Sequence, residues 1–207
     1  RTLMERDAAE QGTLFGAAAP RTGLTVAKNE LLAKYDEVWI DDWYENKEDK
    51  ERHREDGRAM LSRFYDQCVL KPPQPKFLEQ EFSLKFGEHI LKGAIDRIDD
   101  MDGGVEIIDY KTGSPKMEDD LDSDAKRQLY LYQIAVSRLL GLTPVKLTYN
   151  YLRDGSTASF IGNEKQLAKL ETGVEDTFAN ITARKFDATP GRHCKFCDFK
   201  EICDFRE

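Results

Sequence analysis

The chain has 207 residues, of which 40% are hydrophobic and 10% aromatic, so it can bury a core and is not intrinsically disordered as a whole. Its net charge of -8 argues against a basic protein that coats nucleic acid, although an enzyme can still meet nucleic acid in one local groove. It has neither a run of about 18–20 apolar residues nor a signal segment, which predicts a cytoplasmic protein without a membrane span. The first residue is Arg1 rather than methionine, which we interpret as the sign of a piece excised from a longer protein.

The N-terminal part, residues 1–75, is predicted to be helical after a loop at 12–23 that is rich in Gly, Ala and Pro. Thr25 stands where it would cap a first helix. A second helix is predicted over 47–68, because a charged first half is followed by an apolar stripe at helical spacing. The proline-rich segment 71–75 ends it, since proline lacks a backbone donor and disfavours helix in the residue before it.

The remaining part, residues 76–207, switches to the alternating pattern of strands. Glycine-containing turns separate the first three predicted strands, which favours an antiparallel meander. We therefore expect an α+β domain in which a sheet is flanked by helices, with a cysteine-rich tail at its end. The predicted elements are strands at 77–86, 90–98, 105–112 and 146–152 and helices at 123–140 and 163–185.

Two acidic positions and one lysine fall at the ends of neighbouring predicted strands. Side chains two residues apart in a strand share a face, so Asp109 and Lys111 emerge together, and the turn can bring Asp96 alongside Asp109. Two carboxylates and an ammonium at one sheet edge suit a divalent cation such as Mg²⁺. The alternative is an ordinary surface ion pair. Asp109 follows the apolar residues 107–108, however, where a charge is costly unless it is paired or metal-bound.

The segments Gly-Ala-Ile-Asp-Arg-Ile-Asp at 93–99 and Ile-Ile-Asp-Tyr-Lys-Thr-Gly at 107–113 resemble the RecB-type nuclease domain of the PD-(D/E)xK superfamily. Ile95 stands where the superfamily's name has proline. The resemblance is to the domain at the C-terminal end of UvrD-like helicases and of AddAB/AdnAB-type helicase-nucleases. It implies an α/β (α+β) restriction-endonuclease-like core, with a central mixed sheet flanked by helices.

The resemblance also implies roles for individual residues. Asp96 and Asp109 would bind Mg²⁺ or Mn²⁺, with the backbone carbonyl of Tyr110 as a further ligand. Lys111 would orient or help to deprotonate the attacking water and stabilise charge on the phosphate. Glu79, on the preceding strand, matches a less strict acidic position, for which both a metal-ligand role and no such role stay open.

A second motif, Gln-x-x-x-Tyr, is matched by Gln128 and Tyr132. The spacing of four places both side chains on one face of the predicted helix, pointing toward the same pocket. The resemblance makes them part of the catalytic site. Tyr132 can at the same time pack in the core with its apolar neighbours.

The tail contains Cys194, Cys197 and Cys203, whose close spacing is typical of a metal site. Zinc and an iron–sulfur cluster both need four ligands, and three cysteines are present here. The resemblance favours a [4Fe-4S] cluster, with zinc as the alternative. Cys68 lies on an apolar helix face and is predicted to be a buried, unreactive thiol. His193 is adjacent to Cys194 in the sequence and is therefore poorly placed to complete a tetrahedral site as the fourth ligand. We therefore expect the fourth ligand before Arg1.

The implied function is that of a metal-dependent DNA nuclease, acting as an exonuclease in DNA recombination and repair with a linked or associated helicase motor. The family's upstream histidine has no match, since His53 and His89 suit solvated positions, so the chain as it stands is expected to cleave weakly or not at all. One alternative is a catalytically incomplete nuclease-fold module that binds DNA ends or a partner. Another is a small zinc-ribbon protein without catalysis. Candidate DNA contacts are Lys146, Arg153, Arg184, Lys185, Arg192, Lys195 and Lys200.

Overall fold

The computed structural model describes residues 24–42 and 44–205, so the predicted loop at 12–23 lies outside the described residues. Twelve regular elements follow one another within these ranges, and the predicted order of helices and strands is found. The helices are α1 (Lys28–Val38), α2 (Lys47–Leu70), α3 (Ser123–Ala135) and α4 (Glu164–Thr182). The strands are β1 (Pro75–Phe86), β2 (His89–Met101), β3 (Gly104–Lys111), β4 (Pro144–Tyr151) and β5 (Thr157–Phe160), and short helical turns lie at Glu118–Asp120, Val136–Leu140 and Arg192–Phe196.

The strands form one mixed sheet in the order β1-β2-β3-β4-β5. The first three strands are the predicted antiparallel meander. β4 then pairs with β3 in parallel, as the intervening helix α3 allows, and β5 returns antiparallel along β4. The predicted α+β class with a mixed sheet and flanking helices is confirmed. β5 was not predicted, because its four residues are mostly small and polar and show no alternation of large apolar side chains.

The predicted N-cap of the first helix is wrong. Helix α1 begins at Lys28 after an extended Ala27, and no side chain caps it. Val26 is buried, and its carbonyl accepts a hydrogen bond of 3.0 Å from the phenol of Tyr65 in α2. That tertiary contact holds the backbone extended past Thr25, so the helix begins later than the sequence pattern indicates.

Helix α3 begins and ends as the sequence predicts. The Asp122 carboxylate accepts the Ala125 amide at 2.7 Å, which satisfies a donor of the first turn. The last turn, Val136–Leu140, widens to π-helical bonding before Gly141 takes a left-handed conformation with φ 64°. Half of α3 is buried, and the helix contacts β1, β3 and β4, so its inner face lies across the sheet.

The core of the sheet-containing unit is made by β2, β3, β4 and α3. Its completely enclosed side chains are aliphatic and come from both faces of the sheet, as expected for a sheet with helices packed against it. They are Ile95, Ile98, Val105, Ile107, Leu129, Val136 and Leu147.

The chain divides into two compact units, one that ends at Leu167 and one that begins at Ala168. The first contains α1, α2, α3 and the whole sheet. The second contains most of α4 and the cysteine-rich tail. The predicted division at residues 75 and 76 concerns the sequence within the first unit and stays a prediction. Within the described ranges, no helix combines the length and the apolarity that crossing a membrane requires.

Candidate active site

The strand register brings the two predicted metal ligands side by side. Arg97 and Ile108 are the last pair of the ladder between β2 and β3, and Asp96 and Asp109 follow directly on their strands, where the charge of Asp96 acts on Asp109. The Asp96 carboxylate accepts the backbone N–H of Tyr110 at 2.8 Å, which fixes it against β3. The hairpin between β2 and β3 therefore brings Asp96 alongside Asp109, as the sequence pattern predicts.

Asp109 is 2% exposed, and its carboxylate lies 2.7 Å from the Lys111 ammonium. Burial raises the pKa of Asp109, the neighbouring Lys111 lowers it, and the charge of Asp96 raises it further. The reading of Asp109 and Lys111 as an exposed surface ion pair does not describe this geometry, because the carboxylate is inside. A buried carboxylate of this kind gains most from a second cationic partner.

A chain of hydrogen bonds leads from Lys111 into helix α3. Lys111 Nζ donates to Gln128 Oε1 at 2.7 Å, and Gln128 Nε2 donates to the Tyr132 hydroxyl at 2.8 Å. Residues four apart share a helix face, so α3 delivers both side chains to the same point above β3. The structure thus joins the Gln-x-x-x-Tyr pair to the lysine of the strand.

Tyr132 packs against the ring of Phe82, an aromatic contact that was not predicted from the sequence. Phe82 of β1 pairs with Gly93 of β2, and its ring lies directly over the glycine, where a Cβ would come within 2.7 Å of it. The same ring meets Tyr132 edge to face, with centroids 5.8 Å apart. Gly93, the first residue of the motif on β2, therefore makes room for the support of Tyr132.

Glu79 is near the two aspartates in the sheet, but the three carboxylates do not form a group that could hold one metal ion. Leu78 pairs with Arg97 and Gln80 with Ile95, which places Glu79 opposite Asp96. Its φ of 49° is left-handed, an unusual conformation for a residue with a side chain, and its carboxylate is exposed. Among the described residues, no group of three or more His, Cys, Asp or Glu side chains could hold a metal ion.

The donor set at the sheet fits a hard cation nevertheless. Mg²⁺ is commonly held by one or two carboxylates, with water and substrate phosphate completing its shell. Asp96 accepts one hydrogen bond and Asp109 pairs with the Lys111 ammonium, while Asp109 Oδ2 is buried without a hydrogen-bond partner, so both carboxylates keep lone pairs for a cation. A Mg²⁺ or Mn²⁺ ion would be held by these two residues and the backbone beside them.

The aromatic side of the site was missed by the sequence analysis. In the register of β3 and β4, Asp109 faces Tyr149 and Lys111 faces Tyr151. The Lys111 ammonium lies 5.0 Å from the centroid of the Tyr149 ring, and the Tyr149 hydroxyl donates to the Ala125 carbonyl at 2.6 Å. The available signal was the alternation of tyrosines on the strand parallel to β3.

The three tail cysteines are free and half-buried, and they do not form a ligand set in the structure described. Cys194 begins a tight turn, with its carbonyl accepting the Cys197 amide, and His193 is exposed. Cys68 is buried in α2 as predicted, and burial raises the pKa of its thiol. A complete ligand set for zinc or an iron–sulfur cluster is therefore not formed among the described residues.

Comparison with known proteins shows which family the chain matches. The family model of the PD-(D/E)XK nuclease superfamily matches residues 3–204. Among solved structures, that of SSO0001 is similar with 19% identity and a TM-score of 0.43, over 75% of this chain and 78% of that one. No curated protein shows significant similarity.

Proposed function

The chain belongs to the PD-(D/E)XK nuclease superfamily, and on that premise we propose that it is a Mg²⁺-dependent deoxyribonuclease. The observation that carries the proposal is the juxtaposition of Asp96 and Asp109 on paired strands, with the Lys111 ammonium 2.7 Å from Asp109. The reaction is hydrolysis of a phosphodiester bond of DNA. A water oxygen bonds to phosphorus, the bond to one sugar oxygen breaks, and that oxygen leaves with a proton.

The residues divide this work by position. Asp96 and Asp109 hold the cation, which when bound lowers the pKa of water and offsets negative charge on the phosphate. Lys111 is partly exposed and stands between Asp109 and Gln128, where it can meet the phosphate and the attacking water. Gln128 fixes the ammonium by accepting from it, and Tyr132 fixes Gln128. The site is built before substrate arrives, which lowers the cost of reorganisation during the reaction.

The test is cleavage of labelled DNA with Mg²⁺ by the chain, or by a longer form that includes the upstream histidine if the chain cleaves only weakly, and by its Asp109→Ala and Lys111→Ala variants. We expect losses on the order of 10²–10³-fold or more for each variant, because each removes a charge that acts on the reacting phosphate. Asp102→Ala and Lys92→Ala serve as matched controls, since both residues are exposed and neither belongs to the proposed site. Control-like activity in the Asp109 or Lys111 variants would refute the assignment.

We further propose that this nuclease is part of a helicase-nuclease that acts in DNA recombination and repair. Residues 76–207 would form the nuclease core, and residues 1–75 would form a helical part before it. The support for this proposal is the RecB-type form of the two motifs, Gly-Ala-Ile-Asp at 93–96 and Asp-Tyr-Lys at 109–111. The chain contains no Gly-x-x-x-x-Gly-Lys-Ser/Thr loop, so a motor would be a separate segment or partner. Exonuclease action from a DNA end would follow, with the motor delivering the strand.

The spacing of Cys194, Cys197 and Cys203 supports a further proposal, a [4Fe-4S] cluster completed by a ligand outside the described residues. Zinc is the alternative for the same spacing. Elemental analysis of iron, sulfide and zinc in the purified protein decides between them. Iron with sulfide supports the cluster, and zinc alone or no bound metal overturns it.

The second candidate function is a catalytically incomplete nuclease-fold module that binds DNA ends or a partner. It is favoured by one observation, that the described residues contain no group of three or more metal-ligating side chains. DNA binding without Mg²⁺-dependent cleavage in the test above would select this candidate.

A further inference from the structure

The turn that joins β4 to β5, residues 152–156, is bonded to helix α2 through an arginine. The Arg63 guanidinium donates hydrogen bonds to the Leu152 carbonyl, at 3.3 Å, and to the Arg153 carbonyl. Both bonds leave from the same nitrogen, Nη1, and both accepting groups belong to the backbone. The start of the β4–β5 turn therefore follows the position of α2.

A second side chain of α2 contacts the far end of the same turn. Gln67 lies four residues after Arg63, which places both side chains on one face of the helix, and its Nε2 donates to the Gly155 carbonyl at 3.0 Å. Gly155 has a left-handed φ of 79°, and a Cβ at this position would come within 2.2 Å of Gln67 Nε2. The glycine thus allows the conformation of the turn and leaves room for the amide of Gln67.

The β4–β5 turn is in turn bonded to the lysine of the candidate active site. The Leu152 amide donates to the Lys111 carbonyl at 2.9 Å, one residue past the last pair of the β3–β4 ladder, Lys111 with Tyr151. Leu152 is also the residue whose carbonyl accepts from Arg63. Two hydrogen bonds through one residue therefore connect α2 to the backbone of Lys111.

The backbone of Lys111 depends on such contacts because it lies beyond the β2–β3 ladder. That ladder ends at the pair of Arg97 and Ile108, whereas β3 continues to Lys111. This last part of β3 is held by β4 on one side and, on the other, by the Asp96 carboxylate, which accepts the Tyr110 amide at 2.8 Å. The ends of elements open more readily than their centres. A bond that fixes the Lys111 carbonyl therefore also limits where the side chain can stand.

We propose that Arg63 and Gln67 are positioning residues of the nuclease, which hold the backbone of Lys111 through the β4–β5 turn; this inference rests on the proposed function. The Lys111 ammonium lies 2.7 Å from both the Asp109 carboxylate and Gln128 Oε1, and a shift of the strand end would disturb both contacts. Misplacing a reacting group by about 1 Å can slow a reaction about a hundredfold. Arg63 and Gln67 act through the backbone and do not need to touch the substrate.

Steady-state cleavage with Mg²⁺ tests the proposal, in the form of the protein that cleaves DNA in the test above. Arg63→Met keeps an apolar stem and removes the donors, and we expect kcat to fall about tenfold or more. The KM for DNA and the Mg²⁺ concentration for half-maximal rate should stay within about twofold, because no substrate or metal contact is lost. Arg63→Lys is expected to restore kcat to within about threefold, since one ammonium can donate to both carbonyls. Arg52→Met, at an exposed arginine of the same helix, is the matched control.

A purely structural role of Arg63 would lower the free energy of unfolding and leave the kcat of the folded protein unchanged. Rates are therefore compared under conditions in which urea titration shows that each variant is folded. An unchanged kcat in Arg63→Met would overturn the proposal and leave the nuclease intact. A rise in the KM for DNA with kcat unchanged would also overturn it, because Arg63 would then be a substrate contact.

If no form of the protein cleaves DNA, the nuclease proposal fails, and the connection from α2 to Lys111 is tested by amide hydrogen exchange. Arg63→Met is expected to speed exchange of the Leu152 amide, which donates to the Lys111 carbonyl, about tenfold or more relative to the amide of the enclosed Ile107. That result would support the connection, and an unchanged ratio of the two exchange rates would overturn it.

Discussion

At the scale of single residues, the burial of Asp109 disfavours the negative charge that its proposed role as a metal ligand requires. Its carboxylate is almost fully enclosed, and that burial raises its pKa above the ordinary value of 3.8 despite the Lys111 ammonium at 2.7 Å. A folded chain that must ionise such a group loses stability as pH rises through the raised pKa. A bound cation would offset the cost of ionising this carboxylate, as the proposed role of Asp109 as a metal ligand requires.

We therefore predict that Asp109→Asn raises the free energy of unfolding in EDTA at neutral pH, since the amide has no charge to bury. This advantage shrinks as pH falls through the raised pKa and disappears below 3.8, where the aspartate is neutral in both states. With Mg²⁺ at about 100 times its Kd the order reverses, because bound cation stabilises the unaltered protein by about 2.7 kcal/mol. Urea unfolding across this pH range measures the effect, with Asp102→Asn as control.

Glu79 is the residue whose role the sequence left undecided. It lies opposite Asp96 with a left-handed φ of 49°, and backbone strain of this kind gathers at functional sites. If it helps to hold the cation through water, Glu79→Gln raises the Mg²⁺ concentration needed for half-maximal cleavage by about tenfold. Glu81→Gln, two residues along the same strand and also exposed, is the control. An unchanged Mg²⁺ dependence would remove Glu79 from the site.

At the scale of elements, a buried polar network joins β2 and β3 on the face opposite the aspartates. The Arg97 guanidinium donates to the Tyr110 hydroxyl at 2.6 Å and forms a double contact with Asp99 at 2.7 and 2.9 Å. Phe64 of α2 meets the Tyr110 ring edge to face, and burial raises the pKa of Tyr110 to about 12, so the phenol stays protonated. This network ties the strand of Asp96 to the strand of Asp109 and Lys111.

Tyr110→Phe removes the acceptor of a buried charged donor, which should cost about 2 kcal/mol of unfolding free energy. Tyr65→Phe, which breaks a neutral hydrogen bond to the Val26 carbonyl, should cost about 1 kcal/mol and serves as the comparison. Urea denaturation measures both. Equal stability of Tyr110→Phe and the unaltered protein would show that Arg97 finds a replacement partner.

At the scale of the whole molecule, a net charge of -8 limits what electrostatics can do for DNA affinity. Lys146, a predicted contact, already pairs with Glu106 at 3.0 Å. If the strand is held at Lys111 and Lys116, about two phosphates are neutralised, and the affinity for single-stranded DNA in EDTA falls about sevenfold between about 50 and 200 mM salt. A fall of about a thousandfold corresponds to about seven contacts and would implicate five predicted contacts of the tail in addition, namely Arg184, Lys185, Arg192, Lys195 and Lys200.

The candidate site was accessible from sequence where its geometry is local. Strand periodicity alone puts Asp109 and Lys111 on one face, and a short hairpin with glycines at its turn puts Asp96 beside them. The same holds for Gln128 and Tyr132, whose spacing of four is a property of any α-helix. Periodicity also predicted the mixed α+β fold and the boundaries of its longer elements, because alternation and helical stripes are written in nearby residues.

Tertiary contacts decided the rest. The placement of α3 across the sheet decides that Lys111 contacts Gln128 and that Phe82 packs against Tyr132. The pairing of β4 with β3 decides that Tyr149 and Tyr151 line a cavity beside Lys111. The start of α1 after Thr25 depends likewise on a bond from Tyr65, 39 residues from Val26. Such contacts join residues far apart in the chain, and their free energy comes from packing and desolvation that no local pattern records.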